Sequence, residues 1–112
     1  MTSRSPSLRI RALNDLMRQA GPSSERWMMT AGVLAQGPEF MMRAVIMVQT
    51  YSAFDDGNDP YGEHDFGAFE LAGKRLFWKI DYYDLDLRFG SDDPADQTVT
   101  AHVLTLMLAS EY

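Results

Sequence analysis

The chain has 112 residues, of which 46% are apolar and 23% are charged. This composition is typical of a folded protein, and the length fits one domain covering residues 1–112. There is no cysteine in the sequence, which excludes disulfides, thiolate nucleophiles and cysteine-ligated metal sites.

The net charge of −6 is distributed unevenly along the chain. Residues 1–50 hold six basic and three acidic residues, whereas residues 51–112 hold four basic and thirteen acidic residues. Direct nucleic-acid binding needs lysine and arginine against the phosphates, so the acidic half argues against it. A basic protein surface is the expected partner.

The sequence shows no membrane or export signal. The first fifteen residues lack the apolar core of a signal peptide, and the longest near-apolar run, residues 40–48, is interrupted by Arg43 and is too short to span a bilayer. We therefore expect a cytoplasmic protein that makes no membrane contact.

A helix is predicted from a cap at Ser5 or Ser7 to the stop signal Gly21-Pro22. Its apolar residues recur at spacings of three and four, which predicts one apolar stripe. The stripe consists of Ile10, Leu13, Met17 and Ala20, and the residues off the stripe are Arg9, Arg11, Asp15 and Arg18.

The next two elements are a buried strand over residues 26–34 and a helix that follows Gly37-Pro38. The helix is apolar almost all round and carries Met41, Met42 and Met47. A helix of this kind lies in the core or is covered by another chain. A homodimer joined through residues 40–48 is the alternative to core packing.

Two alternating segments flank Ala72-Gly73, which predicts an antiparallel hairpin with a short turn. Placing Leu71 opposite Lys74 also places Gly67 opposite Trp78, where the glycine leaves room for the indole. The same register places His64 opposite Asp81, a favourable pair. Leu76, Trp78, Ile80 and Tyr82 are then expected to face inward.

The last predicted element is a helix capped by Asp93 with Pro94 at its first position. Its stripe is Val99, Val103, Leu106 and Met107, and His102 is expected to face solvent. The elements follow the order α-β-α-β-β-α. This order predicts an α+β fold, a single two-layer domain with an antiparallel or mixed sheet packed against helices.

Several strings carry a family resemblance: NDPYGEHDFGAFE, LFWKIDYYD, LRFGSDDPAD and VLTLMLASEY. From about Ile10 to Tyr112 the chain resembles a family of small alphaproteobacterial proteins known only as a domain of unknown function. Members are often encoded on plasmids and other mobile elements. The resemblance implies no catalytic residue or cofactor. It does imply that the protein acts on behalf of such a mobile element, for example by inhibiting a host defence system.

The segment DDGNDPYGEHDFG does not match a calcium-binding loop, because either starting aspartate places glycine or proline where an oxygen ligand is needed. Serine-nucleophile and phosphate-loop motifs are missing as well. A small metal-dependent hydrolase or nuclease that uses His64, Asp81 and nearby carboxylates is an alternative hypothesis. The leading hypothesis includes no catalytic residue, metal or cofactor.

The acidic residues of the opening loop and of the far end of the hairpin are expected to be neighbours, with tyrosines between them. Such a surface focuses negative potential and attracts a basic partner. The leading hypothesis is therefore a non-enzymatic acidic protein-interaction module, in which carboxylates stand in for nucleic-acid phosphates and inhibit a host defence nuclease or regulator. The predicted contact residues are Asp55, Asp56, Asp59, Tyr61, Glu63, Asp65, Asp81, Tyr83, Asp84 and Asp86.

Overall fold

The computed structural model describes residues 6–22 and 26–112. Helix α1 (Pro6–Ala20) ends where the sequence predicts, because Gly21 takes a left-handed φ of 91° and Pro22 cannot continue the helix. Of the two predicted N-caps, Ser5 lies outside the described residues, and Ser7 lies inside the helix.

The buried residues of α1 are Ile10, Asn14 and Arg18. The prediction that Arg18 lies off the inward face is therefore wrong. Its guanidinium can be buried because backbone carbonyl groups and a carboxylate accept its hydrogen bonds.

The segment 26–34, predicted as one strand, forms two short elements: strand β1 (Trp27–Met29) and helix α2 (Ala31–Leu34). The Glu111 carboxylate accepts hydrogen bonds from Thr30 Oγ1 at 2.6 Å and from the Gly32 N–H at 2.8 Å. These bonds satisfy donors at the start of α2, so the chain turns into a helix here instead of continuing as a strand.

Helix α3 (Pro38–Gln49) confirms the second predicted long helix. Ala44 and Val48 are buried in the core, whereas Met42 and Ile46 are exposed. The helix is thus a core element with one uncovered apolar strip, and the homodimer stays a prediction.

Strands β2 (Phe66–Leu71) and β3 (Lys74–Asp84) form the predicted hairpin in the predicted register. Gly67 lies opposite Trp78, and a Cβ atom built on Gly67 would collide with the indole nitrogen. Both turn residues, Ala72 and Gly73, have positive φ, 51° and 77° respectively, as two-residue hairpin turns of type I′ require.

Strand β4 (Thr100–Leu108) occupies the region for which a final helix was predicted, so that prediction is wrong. β4 pairs with β3 along its whole length and also has β1 on its other side. Because this central strand is buried on both faces, its apolar residues do not alternate, and their spacing imitates a helical stripe. His102 consequently lies in the interior and does not face solvent.

The sheet has the order β1-β4-β3-β2, with β1 parallel to β4 and the other pairs antiparallel. The fold is α+β with a mixed sheet, and a short 3₁₀ turn (Ala109–Glu111) follows β4. The core forms where the helices cover one face of the sheet, with Trp78 and Leu104 fully buried. Within the described ranges, no helix is both long and apolar enough to cross a membrane.

Candidate functional site

Two acidic loops meet at one end of the sheet, one preceding β2 (residues 51–65) and the other following β3 (residues 85–99). The Ile80 N–H donates to the Asp65 carbonyl at 2.8 Å, and the Asp84 N–H donates to the Phe89 carbonyl at 2.8 Å. Alternate residues of a strand direct their backbone groups to the same side. Asp65 and Phe89 therefore lie along the same edge of β3, and the loops are neighbours.

The side-chain amide of Asn14 on α1 connects these loops to the sheet. Asn14 Nδ2 donates to the Glu63 carbonyl at 3.0 Å and to Tyr82 Oη at 2.9 Å. Asn14 Oδ1 lies 2.7 Å from His102 Nδ1. The Tyr82 hydroxyl in turn donates to Asp65 Oδ2 at 3.1 Å. One buried amide thus fixes the positions of loop 51–65, β3 and β4.

A second polar chain runs from Arg18 to loop 51–65. Arg18 Nη2 donates to Asp15 Oδ1 at 3.0 Å, and His64 Nδ1 lies 2.9 Å from the same oxygen. His64 Nε2 is 3.6 Å from Asp59 Oδ2, and the His64 ring stacks on Phe54 with centroids 3.8 Å apart. His64 is consequently held between two carboxylates.

Burial and like charges raise the pKa values of two loop carboxyls. Desolvation and the nearby Asp65 raise the pKa of Glu63. Desolvation raises the pKa of Asp65, with further contributions from Asp59 and Asp81, although the hydrogen bond from Tyr82 opposes the shift. Desolvation also raises the pKa of the Tyr82 phenol. The position of Asp65 beside β3, where its carbonyl accepts from the Ile80 N–H, accounts for the contribution of Asp81.

The predicted pair of His64 and Asp81 does not form. Strand pairing ends at Phe66, and His64, with a φ of 55°, turns toward α1. Asp81 instead pairs with Lys79 at 3.0 Å. In residues 6–22 and 26–112, no group of three or more histidine, aspartate or glutamate side chains is arranged to hold a metal ion.

His102 faces Asn14 in the interior, contrary to its predicted exposure. Burial lowers the pKa of this imidazole, the Pro94 carbonyl opposes the shift, and Arg26 adds to it. A neutral ring that donates from Nδ1 matches the Asn14 oxygen, because the Asn14 amide nitrogen is already committed to two other acceptors. The role of His102 is therefore to fix α1 on β4.

The ten predicted contact residues divide by exposure. Asp59 is buried, and its carboxylate accepts from the His64 N–H at 3.0 Å. The half-buried residues are Glu63, Asp65, Asp81, Tyr83 and Asp84. The exposed residues are Asp55, Asp56, Tyr61 and Asp86. We call Asp55, Asp56, Tyr61, Asp84 and Asp86 the acidic end of the sheet.

Local hydrogen bonds give two of these acids a structural role as well. Asp55 Oδ1 accepts from the N–H groups of Gly57 at 2.8 Å and Asn58 at 3.0 Å. Asp84 Oδ1 accepts from the Arg88 N–H at 3.0 Å. Both carboxylates thus cap turns, which holds the acidic end in a defined shape.

The two acidic loops also expose large apolar side chains. Tyr61 is 78% exposed and Phe89 is 71% exposed. Leu85, Leu87 and Val99 are exposed in the same two loops. Apolar groups of this size interleaved with charges are typical of protein-binding surfaces.

Sequence reasoning missed Asn14 and Arg18 as residues that organise this end, and it expected Tyr82 to face inward without assigning it a hydrogen-bonding role. A signal was present, because Ile10, Asn14 and Arg18 follow one another at intervals of four on one helix face. Polar residues at such positions are ordinarily read as solvent-facing, and only the tertiary partners reveal otherwise.

No significant match was found among curated proteins or among solved structures. A family model described as "Protein of unknown function (DUF3768)" matches residues 29–111. This match begins at Met29, the last residue of β1, runs through the C-terminal turn and includes both acidic loops. The chain belongs to the DUF3768 family of proteins of unknown function.

Proposed function

We propose that this protein is a non-enzymatic interaction module whose acidic end docks on a basic protein. The observation that carries the proposal is the combination at one end of the sheet of exposed carboxylates with exposed apolar side chains. A surface whose only role was to keep the protein hydrated would not need to expose large side chains such as Tyr61 and Phe89 to solvent.

The charge balance of the two loops supports a basic partner. Residues 51–65 and 81–99 together contain eleven acidic residues and one arginine, Arg88. Charges concentrated in this way raise the association rate with an oppositely charged partner and repel nucleic acid. The expected interaction therefore weakens as salt screens these charges.

The carboxylates of the buried Asp59 and the half-buried Asp65 serve the surface indirectly. Asp59 and Asp65 are held by His64 and Tyr82, so they orient loop 51–65 and do not point at a partner. Asp56 and Asp86 are the exposed acids best placed to meet lysine or arginine. The partner surface thus rests on a scaffold that is formed before binding.

The finer hypothesis is a nucleic-acid mimic encoded by a mobile element, whose carboxylates occupy the phosphate positions of a host defence nuclease or regulator. The acidic end supplies the required sign of charge. The partner can be identified by capturing it from a lysate of the organism that encodes the protein.

The test compares two variants of equal charge. Asp56→Asn/Asp86→Asn removes two exposed acids from the acidic end, and Glu39→Gln/Glu70→Gln removes two exposed acids from α3 and β2. Captured proteins are identified by mass spectrometry at low and high salt. We expect the first variant to weaken binding about two- to tenfold, and the control to leave binding unchanged.

Capture that resists high salt, or that is equal for both variants, would overturn the proposal. Circular dichroism of both variants checks that neither substitution pair has unfolded the protein.

A further inference from the structure

The turn that follows β3 exposes apolar side chains on a backbone that is closed by hydrogen bonds. We call residues 84–90 the apolar turn. Leu85, Leu87 and Phe89 are all exposed and alternate with Asp84, Asp86 and Arg88.

Backbone hydrogen bonds close the neck of the apolar turn. The Leu87 N–H donates to the Asp84 carbonyl at 3.0 Å, and Tyr83 and Gly90 form an isolated β-bridge. Together with the bond from the Asp84 N–H to the Phe89 carbonyl, these contacts leave little freedom to be lost on binding. Preorganised loops of this kind bind with a smaller entropic cost.

A hollow of about 490 Å³ lies beside the turn. Phe89 and Val99 line it with apolar surface, and Asp84 and Asp92 contribute carboxylates. An apolar side chain flanked by lysine or arginine would match this combination of apolar walls and acidic rim.

Leu87 adopts a φ of 59°, a conformation that leucine rarely takes and that glycine or asparagine would accept with less strain. Its side chain is also exposed. Leucine at this position therefore combines a strained backbone with an exposed side chain, and contact with an apolar partner surface would bury that side chain.

Charge decides among the candidate occupants. A second copy of this chain or an anionic lipid surface would bring like charges together at the acidic end, whereas a basic protein would bring opposite charges. We infer that the apolar turn is the anchor of the acidic end, and that it binds a basic amphipathic segment whose apolar side chain enters the hollow between Phe89 and Val99. This inference rests on the proposed function and names the class of segment that the acidic end binds.

The experiment titrates ¹⁵N-labelled protein with a synthetic amphipathic peptide of lysine and leucine, and with a counterpart in which alanine replaces every leucine. We expect the largest amide shifts at residues 84–92 and 99, smaller ones at residues 55–62, and about tenfold tighter binding of the leucine peptide. Phe89→Ser should weaken binding of the leucine peptide about tenfold, whereas Met42→Ser, which alters an exposed methionine on α3, should not.

The Leu87→Asn variant distinguishes a binding role of Leu87 from a role in stabilising the fold. Asparagine tolerates the positive φ, so the melting temperature should stay the same or rise while peptide affinity falls. A fall in both would overturn the inference, because Leu87 would then be holding the fold.

The remaining outcomes separate this inference from the proposed function. Equal binding of the two peptides, with no effect of Phe89→Ser, would overturn the anchor and leave an acidic docking surface standing. Failure of both peptides to bind would overturn the inference and count against the docking surface. Shifts of residues 84–92 with phosphatidylcholine vesicles would replace the protein segment with a lipid surface.

Discussion

Replacing Arg18 tests the interior on which the acidic end depends. Arg18 is only 2% exposed, and its Nη1 atom lies near the carbonyls of Val48 at 2.8 Å, Gln49 at 3.2 Å and Tyr51 at 3.2 Å. These carbonyls lie at or just after the C-terminus of α3, where a cation is favourable. The guanidinium thus joins α1 to α3.

Arg18→Met keeps much of the apolar stem and removes the charged donors. Three carbonyls and the Asp15 carboxylate would lose these hydrogen bonds. Removing one partner of a buried charged network costs about 3–5 kcal/mol. We expect a loss near the lower end of that range, about 3 kcal/mol, because water can reach the partly exposed Asp15.

Urea denaturation followed by circular dichroism measures the loss, and a thermal melt should show a decrease of about 15 °C. The control is Arg43→Met, which breaks an exposed ion pair with Glu39 and should cost less than about 0.5 kcal/mol. A loss below about 1 kcal/mol for Arg18→Met, or equal losses for both variants, would refute the assigned role of Arg18.

Three further predictions concern β2, its turn and the loop before it. Gly67→Ala should destabilise the protein by about 1–3 kcal/mol, because the new Cβ would collide with the Trp78 indole. Urea denaturation measures this loss, and an unchanged midpoint would contradict the close contact. Ala72→Asn should raise the free energy of unfolding by about 0.5–1 kcal/mol, since asparagine suits the positive φ of this turn, and a lower melting temperature would argue against that turn type. Asp65→Asn should be more stable than the wild type at about pH 7, because the folded state raises the pKa of Asp65 and so disfavours its charge. As pH falls through that raised folded pKa, the wild-type carboxyl takes up a proton and the difference should close by about pH 4; a difference that grows toward acid would contradict the direction of the shift.

The hairpin was predictable in detail because its information is local. Strict alternation in β3, the short Ala72-Gly73 turn and the glycine opposite Trp78 each select the same register. A shift by one residue would have directed Trp78 to the opposite face, so the pattern permitted one solution.

β4 was not predictable in the same way. Val103 and Met107 are buried on one face of the strand, and Leu104 and Leu106 are buried on the other. A strand covered on both sides loses its alternation, and Asp93-Pro94 upstream imitates a helix start. Pairing with β3 and with β1, both remote in sequence, decides the conformation.

The negative charge of the acidic end was predictable from the sequence, but the side-chain contacts that hold it in place were not. Antiparallel pairing of β2 with β3 places the segment that precedes β2 beside the far end of β3, where the Ile80 N–H donates to the Asp65 carbonyl. The roles of Asn14 and Arg18 depend on partners from 30 to 88 residues away along the chain, and no local pattern specifies those partners.

The most direct test of docking through the acidic end is the hydrogen–deuterium exchange footprint of the protein bound to its captured partner. Slower exchange on binding should appear in residues 55–62 and 84–92, with residues 38–49 of α3 unchanged. Slower exchange confined to α3 or to the middle of the sheet, with both acidic loops unaffected, would contradict docking through the acidic end.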